Sequence, residues 1–180
     1  MKHPAQAAAH AIEAAKSSAN DRGRECLTFR LGREEYAIEI LRVQEIRQYE
    51  EPNRIPEAPA HVAGVLNLRG VIVPILDLRR KFRLKTADIT ASTVTIVLAL
   101  SRGVVGAVVD SVSDVVNLPA DAIRPAPEFE GVSQEHITGI GVLGEGAGKR
   151  MLILLDVERL LGADSLNLST QLTAQLQAAA

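Results

Sequence analysis

A chain of 180 residues, 47% hydrophobic and 23% charged, holds enough material for one compact unit or two small ones sharing a core. A net charge of −2, 3% aromatic residues and no tryptophan exclude nucleic acid or an anionic membrane as the expected partner, because neither a basic footprint nor a base-stacking platform is available. Cys26 is the only cysteine, which excludes an internal disulfide and a cysteine-based zinc cluster, and apolar runs such as 104–109 are far too short to span a bilayer.

Residues 1–22 are rich in alanine, serine and charge and hold few large apolar side chains. A helix there is weak in isolation and buries little, so the segment is expected to be a mobile tail, with ordered structure from about Glu25. Glu13 and Lys16 interrupt any apolar run, so this start does not read as a signal peptide, and a soluble cytoplasmic protein is expected. Residues 26–31 and 36–40 flank Gly32-Arg33 and read as a hairpin. Val43, Ile46 and Arg47 have the spacing of one helical turn, leading into a short strand at 47–49. Pro52, Pro56 and Pro59 make 51–59 a stiff loop, since each ring fixes φ and lacks an N–H.

Residues 62–68 and 71–76, joined by Arg69-Gly70, read as a second hairpin, with Pro74 confined to an edge or a bulge. Asp77 is placed to cap a short helix over 78–82, and the polar stretch 83–92 reads as a linker. Strands resume at 93–100 and 104–109 across a Ser101-Arg102-Gly103 turn. A proline-rich loop follows at 124–127, then a last hairpin, 137–143 and 151–155, across the glycine-rich 144–148. Asp156 opens a short helix to Leu161, and the Leu, Gln and Ala residues of 165–178 have the spacing of a terminal helix.

An internal repeat organises these elements. Residues 29–46 lie over 98–115, each a hairpin running into Val-x-acid-(Ile/Val), and 73–80 resembles 153–159 in its strand-then-Asp-helix order. Each half then holds about five short strands, enough to curl into a small barrel. The expected fold is mainly β, with two five-stranded barrels back to back. The first spans about 34–85 and the second about 93–162, inside a domain covering 23–164, and the first strand is free to pair across.

The search for chemistry ends without a catalytic constellation. His3, His10, His61 and His136 are scattered, form no metal-ligand pair, and in the two loop cases read as solvated. Residues 139–144 have G-x-G-x-x-G spacing but no helix opening after them, and 144–148 lacks the Ser or Thr of a phosphate loop, so both read as turns. Ser101, Ser111 and Ser113 have no nucleophile-elbow setting. Cys26 reads as a buried structural thiol, and Asp77 and Asp156 as caps. The densest basic run, Arg79, Arg80, Lys81, Arg83 and Lys85, reads as a solvated helix face. No cofactor, metal or catalytic residue is assigned, and an enzyme is not expected.

What remains is the segment 64–79, G-V-L-N-L-R-G-V-I-V-P-I-L-D-L-R, taken with V-Q-E-I-R at 43–47, Ile55-Pro56, the run 104–115, I-R-P-A-P at 123–127 and M-L-I-L at 151–154. These blocks, in this order over roughly 25–161, resemble the CheW family of chemotaxis coupling proteins. The resemblance implies two SH3-like barrels and a non-enzymatic adaptor in a signalling array. Its implied partners are the cytoplasmic hairpin tip of a methyl-accepting chemoreceptor and the regulatory domain of the histidine kinase CheA. By motif, Val43, Glu45, Gly64, Asn67 and Arg69 correspond to the receptor-facing region. Kinase-contact residues have no motif sharp enough to assign. An adaptor for a non-motility array is the alternative within the class, and a small β-barrel enzyme or nucleic-acid binder the alternative outside it.

Overall fold

The computed structural model describes residues 4–17, 24–128, 134–164 and 168. The alanine-rich start is not the expected tail. Pro4–Ser17 forms a helix, α1, whose Ala8 and Ile12, one turn apart, are buried against the body. Tertiary packing supplies what an isolated alanine helix lacks.

β1 (Arg24–Leu31) and β2 (Glu34–Glu39) form the first hairpin, and a 3-10 turn at Ile40–Arg42 leads into β3 (Val43–Gln48). β4 (Val62–Leu68) and β5 (Val71–Asp77) form the second, followed by α2 (Leu78–Lys81). Asp77 caps it as read, its Oδ1 accepting the Arg79 N–H at 3.0 Å. β6 (Val94–Leu100) and β7 (Gly103–Val109) pair next. Ser111–Leu118 is a further strand, β8, which its mixed sequence SVSDVVNL concealed. β9 (Ile123–Arg124), β10 (Ile137–Leu143) and β11 (Arg150–Leu155) precede a helix at 157–164, α3, at whose start Asp156 Oδ1 accepts the Arg159 N–H at 3.2 Å. The terminal helix expected over 165–178 falls outside the described residues except for Leu168, which is helical and buried.

The strands form a six-stranded sheet, β8-β1-β2-β11-β10-β9, and a five-stranded sheet, β3-β6-β7-β5-β4. The fold is mainly β in two sheets, but neither sheet closes into a barrel. Nor do the strands sort by the expected boundaries of 34–85 and 93–162. β3 crosses to pair with β6, and β8 crosses to pair with β1. β5 runs parallel to β7, and β2 parallel to β11. Pro74 therefore lies in an interior strand. It is tolerated because the ladder to β7 starts only at Ile75, beside a bulge in β4 between Val62 and Gly64.

The internal repeat reappears as matched topology. Read along the sheets, β8-β1-β2-β11-β10 and β3-β6-β7-β5-β4 have the same sequence of antiparallel and parallel pairings. The bulges match too, at Val62/Gly64 in one half and Ile137/Gly139 in the other. Each copy thus splits between the sheets, its first hairpin in one and its later strands in the other, β3, β4 and β5 joining β6 and β7, and β8, β10 and β11 joining β1 and β2.

Side-chain alternation gives β1, β5, β6 and β7 two buried faces along most of their length. Leu27, Phe29 and Leu31 of β1 meet Ile96, Leu98, Val105, Ala107 and Val109 in one core shared by both sheets. The opposite faces hold smaller clusters, Cys26, Ala37, Leu118, Leu152 and Leu154 in one sheet and Leu66, Val73, Ile75 and Val108 in the other. Each sheet therefore curls around its own small core while leaning on the common one.

Candidate protein-binding site at the Arg69 turn

Arg69 and Gly70 close the β4–β5 hairpin with φ of 53° and 87°. Positive φ at both residues matches the two-residue turn whose twist suits flanking strands. Glycine adopts it freely, whereas for an arginine it costs about 1 kcal/mol. Asn67 Oδ1 accepts the Gly70 N–H at 2.8 Å and holds the turn in place. The Arg69 side chain is 79% exposed, and its Nη2 donates to Glu45 Oε2 of β3 at 2.9 Å. Glu45 also lies 3.5 Å from Arg47 Nη1. Since β3 and β4 are opposite edges of the five-stranded sheet, the Glu45–Arg69 pair reports how far that sheet curls. Ile72, directly across the hairpin from Asn67, and Val71 are 51% and 57% exposed. Two fork-shaped cations, Arg69 and Arg47, thus meet one carboxylate beside a hairpin that carries two bare aliphatic side chains. Such a surface suits a carboxylate-bearing, partly apolar protein partner.

Two of the five sequence-assigned residues are not part of that surface. Val43 is 1% exposed and belongs to the shared core, so it shapes β3 without offering contact. Gly64 is buried with φ of 144°, and a Cβ there would overlap the carbonyl oxygen of Asn53, whose backbone pairs with Val65. That close approach within the chain by itself requires a glycine at this position. Gly139, the matching residue of β10, meets the Arg124 carbonyl oxygen in the same way, its Cβ position only 2.8 Å from it. A feature present in both halves is architecture.

The halves also repeat the ion pair. Asp114 of β8 and Arg150 of β11 meet at 3.1 Å, and Met151, like Ile72, is exposed on its sheet. Arg150 additionally pairs with Glu35. The Arg150 hydrogen bond first, then that of the buried Thr28 hydroxyl at 2.6 Å, holds the Asp114 carboxyl below its ordinary range. Where the halves part company is the hairpin tip, two residues at Arg69-Gly70 against the longer 144–149 segment.

The basic run is solvated as read at Arg80, Arg83 and Lys85, but not at its first residue. Arg79 is fully buried. Its Nε and Nη2 donate to Asp77 Oδ1 at 3.0 Å and Oδ2 at 2.9 Å, and Nη1 donates to the Asp88 carbonyl at 2.6 Å and Asp110 Oδ1 at 3.3 Å. Burial opposes its charge, but the bonds to Asp77 and Asp110 outweigh that and raise its pKa. The Asp-x-Arg spacing was the available signal, since it lets a capping carboxylate face the arginine two residues on. The loop histidines are not merely solvated either: His61 Nε2 lies 3.2 Å from Asp164 Oδ1, and His136 packs against the Phe82 ring at 5.6 Å. Cys26 is buried as read, and burial followed by Glu39 pushes its thiol up to about 11. Among the described residues no three His, Cys, Asp or Glu side chains gather as a metal-ligand set.

A family model described as the CheW-like domain matches residues 25–165. A chemotaxis protein CheW from Klebsiella aerogenes is 53% identical over 147 residues, covering 81% of this chain and 86% of its own. The chemotaxis protein CheW of Bacillus subtilis is 32% identical over 143 residues, covering 79% and 90%. Among solved structures, the scaffolding protein TtCheW from Thermoanaerobacter tengcongensis is similar with a TM-score of 0.69 and 25% identity, over 77% of this chain and 92% of its own.

Proposed function

The chain belongs to the CheW-like domain family, and on that premise we propose that it is a non-enzymatic chemotaxis adaptor that couples the cytoplasmic tips of methyl-accepting receptors to the regulatory domain of the histidine kinase CheA. It works in the cytoplasm, recruited to membrane-associated receptor arrays. Coupling of this kind runs on differential binding. A receptor state that the adaptor prefers biases the kinase it also holds, and repeated linkage in an array compensates for modest single contacts.

The single observation that carries the receptor contact is the exposed Arg69 side chain on a backbone turn that an arginine enters only at a cost, beside exposed Ile72 and Val71. Backbone strain of this sort is kept where a side chain has to be aimed. Glu45 and Asn67 complete the site, one as ionic partner and the other as turn brace. In Arg69→Ala the receptor fragment is expected to bind about 2 kcal/mol more weakly, with the fold intact. Co-purification with a receptor cytoplasmic fragment and the kinase regulatory domain, followed by kinase phosphorylation, is the test. Unchanged receptor affinity in Arg69→Ala removes this turn from the interface.

A further inference from the structure

The two halves end their parallel pairings differently. β5 and β7 stay paired through Ile75 with Gly106, Leu76 with Ala107 and Asp77 with Val108. In β11 and β2 the row of Leu154 and Ala37 matches that of Ile75 and Gly106, because each lies beside the bulge of its hairpin, at Gly139 and Gly64. The second ladder stops at that row, so Leu155 and Asp156 part from Ile38 and Glu39 where Leu76 and Asp77 keep their partners. Asp156 nevertheless stands as Asp77 does. Its N–H donates to the His136 carbonyl at 2.8 Å, as that of Asp77 donates to the His61 carbonyl at 2.7 Å. Each also faces an arginine further along its helix, Arg159 at 3.6 Å and Arg80 at 3.9 Å.

What differs is the second residue after the aspartate. In the first half it is Arg79, whose guanidinium is enclosed between Asp77, Asp110 and the Asp88 carbonyl. In the second half it is Glu158, which turns away to accept the Ser101 N–H at 3.0 Å and to face Arg42 at 3.5 Å. The parted strands there border a cavity of about 100 Å³, lined by Cys26, Glu39, Thr138 and Asp156, with Arg24 and Arg42. A cavity of about 150 Å³ takes benzene, so this one suits a planar ion the size of guanidinium. Its floor leans negative. Arg42 is turned to Glu158, and at the Cys26 thiol, which burial pushes up most, Glu39 adds more to the rise than Arg24 takes from it.

We propose that this cavity is a guanidinium site, taking from outside the group that Arg79 supplies to the other half from within. Asp156 and Glu39 hold the planar cation as Asp77 and Asp110 hold Arg79. The ligand is a guanidino compound or the arginine side chain of a peptide. A lysine ammonium matches the site less well, since it lacks the flat fork that meets a carboxylate on two prongs. Leu41, 67% exposed, holds the place in the repeat that Asp110 holds in the first half, so a carboxylate can be added there without touching the core. The site stands apart from the Arg69 turn and its reading is independent of receptor and kinase coupling.

The test follows amide chemical shifts of the full chain during titration with guanidinium ion at millimolar concentration, then with an arginine-containing peptide and its lysine counterpart. Saturable shifts are expected at Ala37, Glu39, Thr138 and Val157 with guanidinium and the arginine peptide, and not with the lysine peptide. Asp156→Asn, which keeps a capping side chain, is expected to weaken guanidinium binding about tenfold. Glu39→Gln, at an exposed position, is the second variant and is expected to weaken it about threefold; Leu41→Asp is expected to tighten it by a similar factor. A peptide that binds tighter than the free ion identifies a protein arginine as the occupant, and a free ion that binds as well identifies a small guanidino compound. Shifts that never saturate overturn the proposal, as does unchanged binding in both Asp156→Asn and Glu39→Gln with circular dichroism preserved. So does an equal response to the lysine peptide. Shifts at these residues with acetate or phosphate but not with guanidinium overturn it too, and give the cavity to Arg24 and Arg42 as an anion site.

Discussion

Arg69 and Arg79 carry the same side chain into opposite surroundings. At Arg69 the guanidinium is mostly in water, and its bond to Glu45 adds little to stability, as exposed pairs generally contribute under about 1 kcal/mol. Arg79 is enclosed, with every bond made to Asp77, Asp110 or the Asp88 carbonyl. Removing it strands the buried Asp77 carboxylate, so Arg79→Met is expected to lose about 3 kcal/mol of unfolding free energy by urea titration. Arg79→Lys should recover little, since an ammonium cannot make the two-pronged contact. A loss near zero in Arg79→Met would mean that the network is ornamental. At Cys26 the thiol is buried and its ionisation displaced upward to about 11, so the native protein should resist an aromatic disulfide reagent at pH 8 and react fully once unfolded. Rapid native labelling would contradict that burial. Sequence pattern exposed Cys26 and the Asp77 cap because both follow from local alternation and spacing. It misplaced Arg79 because burial of a charge depends on Asp110, which is 31 residues away.

At the scale of elements, the four hairpins were legible because each joins neighbouring segments through a short connection. β8 and the crossings of β3 and β8 were not. Their alternation is interrupted by polar residues, and their partners lie far along the chain. The repeat held the clue, since two copies of hairpin-plus-strand can pair internally or exchange third strands with equal local consistency. Gly106 lies where β7 runs close beneath Ile75 and Thr95 of its neighbouring strands. A Cβ at that position would lie 2.5 Å from Ile75 Cδ1 and 2.9 Å from Thr95 Cγ2. Gly106→Val is therefore expected to cost about 2 kcal/mol through overpacking, seen as a lower urea midpoint at constant slope. A neutral result would imply that the sheet relaxes there. Of the five residues read as a receptor site, Glu45, Asn67 and Arg69 gather at one tip. Val43 and Gly64 share their motif for reasons of packing, which a motif alone does not separate from contact.

For the whole molecule, strand exchange makes the halves inseparable. The six-stranded sheet needs β1 and β2 from the first half beside β8 and β11 from the second, and the five-stranded sheet mixes β3, β4 and β5 with β6 and β7. Cutting within the linker, to give 1–87 and 88–180, should yield two fragments without stable structure by circular dichroism, and the intact chain should unfold in one transition by every probe. A fragment that melts cooperatively by itself would contradict this. The same closure bears on docking. Arg69 is already spoken for by Glu45, so on the proposed docking an incoming carboxylate would trade places with a resident one instead of meeting an idle cation. Such a trade would release an ion pair that joins opposite rims of the five-stranded sheet, so that a partner bound there would touch both edges of the sheet at once.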